Sequence, residues 1–300
     1  MRKSVKIVEV GPRDGLQSEP EVLSTAVKVA FIDRLAGSGL QRIEVASFVN
    51  PRKVPQMADA EQVLAALPLR PGVDYIGLVL NRKGFDRAKA AGCLEIGMAL
   101  GVTDTFNQRN QGATTTESIA QWLDIAAAAR SAGIRAQITL SVAFGCPFEG
   151  EVSVERVVDV ARRVAQGHPT EIALADTIGV AVPPQVTRAV GELGSALPGV
   201  ALRCHFHNTR NTGLANALAA VQSGVSTLDA SCGGIGGCPF APAATGNIPT
   251  EDLIYLLERS GYETGVSLEQ LIETSLWLQG ELGRPVPSML SKAGPFPHRA

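Results

Sequence analysis

The sequence predicts one α/β domain: a (β/α)8, or TIM, barrel with additional helices at its C-terminal end. Three observations carry this. Short β-rich runs alternate with longer Ala/Leu-rich stretches, and such βα alternation implies a parallel sheet covered by helices. The strands number eight, the count that closes a barrel. No Pro/Gly/Ser-rich linker interrupts the alternation, so residues 1–300 read as a single catalytic domain, with the barrel over about 5–232 and a cysteine-containing loop and helices over about 233–283.

The first strand spans 5–10 and runs into the turn Gly11-Pro12-Arg13-Asp14-Gly15. The others are expected at 42–48, 74–80, 94–100, 135–143, 171–176, 201–207 and 227–231. The intervening helices are placed at 23–36, 59–66, 84–91, 116–132, 154–166, 184–196 and 213–223, and 250–282 is largely helical. A doubly wound open sheet is the alternative, but its glycine-rich fingerprint should follow the first strand. Gly-Pro-Arg-Asp-Gly is not Gly-x-Gly-x-x-Gly.

Composition narrows the function classes. With 45% hydrophobic and 19% charged residues, the chain matches an ordinary folded protein with a sizeable core. A formal net charge of −2 gives no reason to expect nucleic-acid or membrane-surface binding. The five cysteines (Cys93, Cys146, Cys204, Cys232 and Cys238) form no Cys-x-x-Cys pair, which fits reduced thiols. There is no secretory signal pattern and no apolar run long enough to span a bilayer, so a cytoplasmic protein is expected.

Barrel chemistry sits where strands end. Strand one delivers Arg13 and Asp14, strand two carries Glu44 among apolar neighbours, and strand six ends in Asp176. Strand seven delivers His205-Phe206-His207-Asn208, and Gly233-Gly234-Ile235-Gly236-Gly237-Cys238-Pro239 follows strand eight, with Asn247 beyond it. Strand side chains alternate, so His205 and His207 share a face and make a ready pair of metal ligands. Two of the chain's four histidines are here. The bland reading is one buried, hydrogen-bonded histidine and one exposed. Asp14 is either the anionic ligand or an Asx-turn cap, and Asn247 either a carbonyl ligand or a helix cap. Such a mixed N/O set leaves octahedral positions open and suits Mg²⁺ or Mn²⁺ better than Zn²⁺. Arg13 can stabilise a developing enolate oxygen, or pair with Glu44 or Asp176. Cys238 lies in a loop with four preceding glycines, as a proton donor, a nucleophile or an incidental turn residue.

These segments resemble the 3-hydroxy-3-methylglutaryl-CoA lyase family, within the metal-dependent barrel lyases and Claisen-type synthases. The likeness rests on residues 8–17 (Val-Glu-Val-Gly-Pro-Arg-Asp-Gly-Leu-Gln), 44–49, 55–59, 145–150 (Gly-Cys-Pro-Phe-Glu-Gly) and 176–180, with the Cys238 loop and Gly246-Asn247. It implies a retro-Claisen cleavage in which a 3-hydroxyacyl-CoA gives acetyl-CoA and a keto compound, acetoacetate in the namesake reaction. It assigns Asp14, His205, His207 and Asn247 to the metal, Arg13 to the enolate, Cys238 to catalysis on a closing loop, and Glu44 and Asp176 to supporting acidic roles. Asp14 and His205 are both candidates for the base. Gln17, Arg13 and Arg210 are expected to touch substrate, and a homodimer is the family-level expectation.

Three positions depart from the pattern. Pro20 stands where family members often carry lysine, and Asn208 and Arg210 stand in place of an aspartate and a tyrosine. They leave the acyl group open, with citramalyl-CoA or a longer branched 3-hydroxyglutaryl-CoA as alternatives. The rival functions are a Claisen-type synthase, a metal-dependent aldolase, and a non-catalytic barrel that binds acyl-CoA.

Overall fold

Eight parallel strands close into a barrel in a computed structural model that describes residues 3–237 and 246–297. The barrel strands are β1 (Lys6–Glu9), β2 (Arg42–Ser47), β3 (Asp74–Val79), β4 (Glu95–Gly101), β5 (Arg135–Ser141), β8 (Ile172–Asp176), β9 (Leu202–Phe206) and β10 (Thr227–Ala230). A two-residue-per-arm hairpin, β6 (Gly145–Cys146) with β7 (Gly150–Glu151), projects between β5 and β8. Barrel neighbours follow chain order, and β1 closes the ring by pairing with β10, Lys6 opposite Thr227 through Glu9 opposite Ala230. All eight expected strands are present, seven of them slightly shorter than expected and β4 shifted by one residue at unchanged length.

The covering helices are α1 (Thr25–Gly37), α2 (Ala60–Ala66), α3 (Arg82–Ala90), α4 (Asp104–Gln111), α5 (Thr115–Ser131), α6 (Val154–Ala165), α7 (Pro183–Ala196) and α8 (Gly213–Gln222). The C-terminal helices are α9 (Thr250–Arg259), α10 (Leu268–Leu282) and the short α11 (Leu290–Ala293). The helix expected at 116–132 is α5, and a further short helix, α4, precedes it. Gly112 ends α4 in the left-handed region (φ 73°), and Thr114 and Glu117 form a reciprocal capping box that starts α5. The helical tail divides between α9 and α10.

Strand ends differ in character. At the N-terminal end, Arg42 contacts Glu95 at 2.6 Å and Glu171 at 2.8 Å, and Arg135 contacts Glu95 at 2.9 Å and Asp74 at 2.7 Å. Buried Gln137 also donates to Glu95. Charges here are mutually satisfied, whereas at the opposite end several are not. The register between β2 and β3 shifts between Glu44 and Ala46, a bulge beside the point where Glu44 enters the barrel mouth.

Removing the Glu95 carboxylate, which is 2% exposed, takes one of two carboxylate partners from each of Arg42 and Arg135 and the acceptor from buried Gln137. Glu95→Ala is expected to lower unfolding free energy by roughly 3 kcal/mol, as for a broken buried pair. Urea denaturation measures this, and a loss below about 1 kcal/mol contradicts the arrangement as described.

Candidate active site

After β1 the chain winds into one wide turn, Gly11–Gly15, in which the N–H groups of Arg13, Asp14 and Gly15 all converge on the Val10 carbonyl at 3.2, 2.7 and 3.2 Å. A Cβ on Gly11 would lie 2.6 Å from Glu9 Oε1, and one on Gly15 would lie 2.7 Å from the Ile235 side chain. Both positions therefore exclude larger residues, and the turn aims Arg13 and Asp14 at the barrel mouth. Asn247 arrives from the other side. Residues 246–250 thread between the ends of β9 and β10, with Asn208 N–H on the Gly246 carbonyl (2.9 Å) and Ile248 N–H on the Phe206 carbonyl (3.2 Å). This places Asn247 opposite His207.

The product is a compact polar cluster. One ligand atom from each of Asp14, His205 and His207 lies within 4.8 Å of the others. His205 Nε2 and His207 Nε2 stand 3.9 and 4.0 Å from Asp14 Oδ2, beyond hydrogen-bond reach and spaced for an intervening group. Asn247 Nδ2 donates to Asp14 Oδ2 at 2.9 Å and to the Ile235 carbonyl at 3.1 Å. Asn247 Oδ1 and His207 Nδ1 are buried with no hydrogen-bond partner among the described residues. Buried polar atoms are rarely left unpaired. Two imidazoles, a carboxylate and an idle amide oxygen fit a divalent cation, which would engage donors that the protein leaves unsatisfied.

Charge is arranged around Asp14. Arg13 places NH1 2.5 Å from Asp14 Oδ1, while its Nε and NH2 grip Glu44 Oε2 at 2.9 and 2.6 Å. Burial alone would raise the Asp14 pKa, but Arg13, the two histidines and Asn247 together hold it well below the usual carboxylate range. Burial and the neighbouring His205 push His207 down to about 4. Burial also depresses His205, but the hydrogen bond and charge of Asp229 outweigh it and leave the pKa raised. Burial raises Glu44, against the pull of Arg13.

Arg13, Asp14, Glu44, His205, His207 and Gln17 all line one cavity of about 610 Å³. Gln17 has a buried Oε1 with no hydrogen-bond partner among the described residues. Asp176 does something different. Its two oxygens accept from the Val180 and Ala181 N–H groups at 2.9 and 3.0 Å, so it braces the loop after β8. Arg210 is exposed and donates to the Ile178 and Gly179 carbonyls, and Asn208 Oδ1 accepts from Gly213 N–H. Neither these two nor Pro20 lines the cavity. Cys238 lies outside the described residues; the segment leading to it reaches the cavity at Gly237, whose carbonyl accepts from Ser18 Oγ.

Sequence reasoning passed over Glu9 and Asp229. Each is an acid inside an apolar strand, as conspicuous as Glu44, with Glu9 ending β1 and Asp229 one residue before the end of β10. Glu9 Oε1 accepts from Gly11 N–H (2.7 Å) and Cys232 N–H (2.9 Å), and Oε2 from Thr250 Oγ1 (2.6 Å). One carboxylate thus clasps the Arg13–Asp14 turn, the glycine-rich segment after β10 and the start of α9. Glu251, next to it, accepts from Gly233 N–H with both oxygens.

A parallel barrel with a carboxylate and two imidazoles gathered at the C-terminal ends of its strands defines a barrel enzyme with a site able to hold a metal ion. The HMGL-like family model matches residues 4–277, and the chain belongs to that family. It is 45% identical to the (R)-citramalyl-CoA lyase of Chloroflexus aurantiacus, over 98% of this chain and 96% of that protein. It is 44% identical to the hydroxymethylglutaryl-CoA lyase of Pseudomonas mevalonii, over 94% and 93%. An HMG-CoA lyase from Acinetobacter baumannii, solved with coenzyme A and 3-methylmalate, has a TM-score of 0.94 at 39% identity, covering 99% of this chain and 98% of that one. The chain is accordingly a carbon–carbon lyase.

The Glu9 clasp has a pH signature. Burial outweighs its three donors and raises the Glu9 pKa from 4.5 to about 7. The protonated form therefore favours the fold, fully below about pH 4.5, and that contribution is lost as pH rises through about 7. Relative to Glu9→Gln, which does not titrate there, the wild type should lose about 2–3 kcal/mol of stability between pH 5 and 8. Urea titrations at both pH values read the difference, and parallel pH profiles for the two proteins would contradict it.

Proposed function

We propose that this enzyme cleaves 3-hydroxy-3-methylglutaryl-CoA to acetyl-CoA and acetoacetate, using a divalent ion, Mg²⁺ or Mn²⁺, held by Asp14, His205, His207 and Asn247. The observation that carries this reading is the juxtaposition, in one cavity, of the Asp14–His205–His207 cluster with Arg13. Kinship with lyases acting on CoA thioesters supports the substrate class.

Cleavage requires the tertiary hydroxyl to lose its proton, the carbon–carbon bond to break, and the electron pair to enter a thioester enolate that is then protonated. The metal ion, when bound, supplies Lewis acidity toward the hydroxyl and the new keto group. Arg13 stabilises the enolate. A guanidinium carries five N–H donors, and three are committed to Glu44 and Asp14, so two remain for substrate. Glu44 fixes the guanidinium plane so that this charge is aimed before reaction begins. Asp14 and His205 are the candidates for the proton-accepting group, and Cys238 for the group that protonates the enolate. Gln17 offers its free amide oxygen to a substrate hydroxyl or N–H.

The Chloroflexus relative favours citramalyl-CoA as a second reading. That thioester has one methylene fewer between the carbinol and the distal carboxylate. A single methylene is worth only about 1–3 kcal/mol in discrimination, so the same residues can serve either acyl group.

Purified protein with Mg²⁺ or Mn²⁺ should release acetyl-CoA from 3-hydroxy-3-methylglutaryl-CoA, and EDTA should abolish the release. Arg13→Gln should lower kcat by roughly 10²–10³-fold, the loss expected for one transition-state donor. Chromatography of CoA products over a panel that includes citramalyl-CoA and longer branched 3-hydroxyglutaryl-CoAs decides the acyl group. No acetyl-CoA from any member sinks the lyase reading, and faster release from citramalyl-CoA selects the second.

A further inference from the structure

Asp229 lies beneath the cluster and has no part in the chemistry above. It sits on β10 in register with His205 on β9. Its side chain is 4% exposed, and its Oδ2 lies 3.2 Å from His205 Nδ1. The other oxygen, Oδ1, lies 3.3 Å from Arg203 Nε. Arg203 is anchored in turn, its NH2 donating to Thr139 Oγ1 at 3.2 Å. The carboxylate is therefore held from below by a fixed cation and faces the imidazole from one defined side.

We propose that Asp229 is a positioning residue: it holds the proton of His205 on Nδ1 and leaves the Nε2 lone pair directed at the space beside Asp14. A neutral imidazole carries one proton, and the group that accepts it decides which nitrogen is free to ligate. Asp229 is an acceptor at one nitrogen, while the other, at 3.9 Å from Asp14 Oδ2, has none among the described residues. His207 supplies the contrast. Its Nδ1 has no partner among the described residues, so nothing fixes its tautomer. Of the two imidazoles, only His205 is oriented before an ion arrives. Partners that orient a ligating histidine in this way are typically worth roughly 10–100-fold in metal affinity. The competing view is that Asp229 serves only as the buried counter-ion of Arg203.

This proposal rests on the metal reading, and two measurements separate them. The first uses the unaltered protein: long-range ¹H–¹⁵N spectra of ¹⁵N-histidine-labelled protein, without added metal, at a pH of about 9, where ordinary imidazoles are neutral. His205 should carry its proton on Nδ1. The second is the Mn²⁺ dissociation constant of Asp229→Asn by calorimetry, with circular dichroism to identify folded protein. It should be roughly 10–100-fold weaker than wild type. A proton on Nε2 of His205, or a folded Asp229→Asn that binds Mn²⁺ within about 2-fold of wild type, overturns the proposal and leaves the counter-ion view. If the wild type binds no Mn²⁺, the metal reading fails, and the proton's position in the metal-free protein still decides the role of Asp229.

Discussion

The Asp14 carboxylate faces Arg13 on one oxygen, and both imidazoles and Asn247 converge on the other. A negative charge at the mouth of an apolar barrel survives only where positive charge and donors surround it. Much of the local architecture has the effect of bringing those groups to it. Arg13 is steadied by Glu44 at a bulge in β2. The histidines come from successive inward positions of the β9 ridge, and Asn247 from a segment threaded between two strand ends. Both histidine Nε2 atoms stand too far from Asp14 Oδ2 to hydrogen-bond it, and a cation in that gap is the natural complement.

Placing these groups takes buried acids whose oxygens are engaged by backbone and hydroxyl donors. Glu9 joins the Arg13–Asp14 turn to two segments more than two hundred residues further along the chain, and Glu251 secures Gly233 in the segment leading to Cys238. Asp176 braces the loop after β8. Each accepts several donors at once, which is how a buried carboxylate becomes tolerable. The rigid end of the barrel, with its closed network of Arg42, Glu95, Glu171 and Arg135, leaves the opposite mouth free to carry unsatisfied groups.

Strand number, strand order and the mouth location were legible in the sequence because βα alternation and strand-end chemistry are local patterns. His205 and His207 were legible because period two fixes their common face. The extra helix α4 was less so, since it lies in a polar stretch and ends at Gly112 just before the capping box of α5. Arg210 illustrates the harder limit: its place near a ligand strand is legible, but its bonds to the Ile178 and Gly179 carbonyls depend on a loop from another strand. Glu9 and Asp229 escaped notice because their partners are distant in sequence and join them only once the barrel closes.

The claim on which the rest stands is that Asp14, His205 and His207 bind one divalent ion. An anomalous difference map from crystals grown with Mn²⁺ tests it directly. The account predicts a single strong peak about 2.0–2.2 Å from an Asp14 oxygen and the two histidine Nε2 atoms. No peak there, or a peak held by other residues, would contradict it.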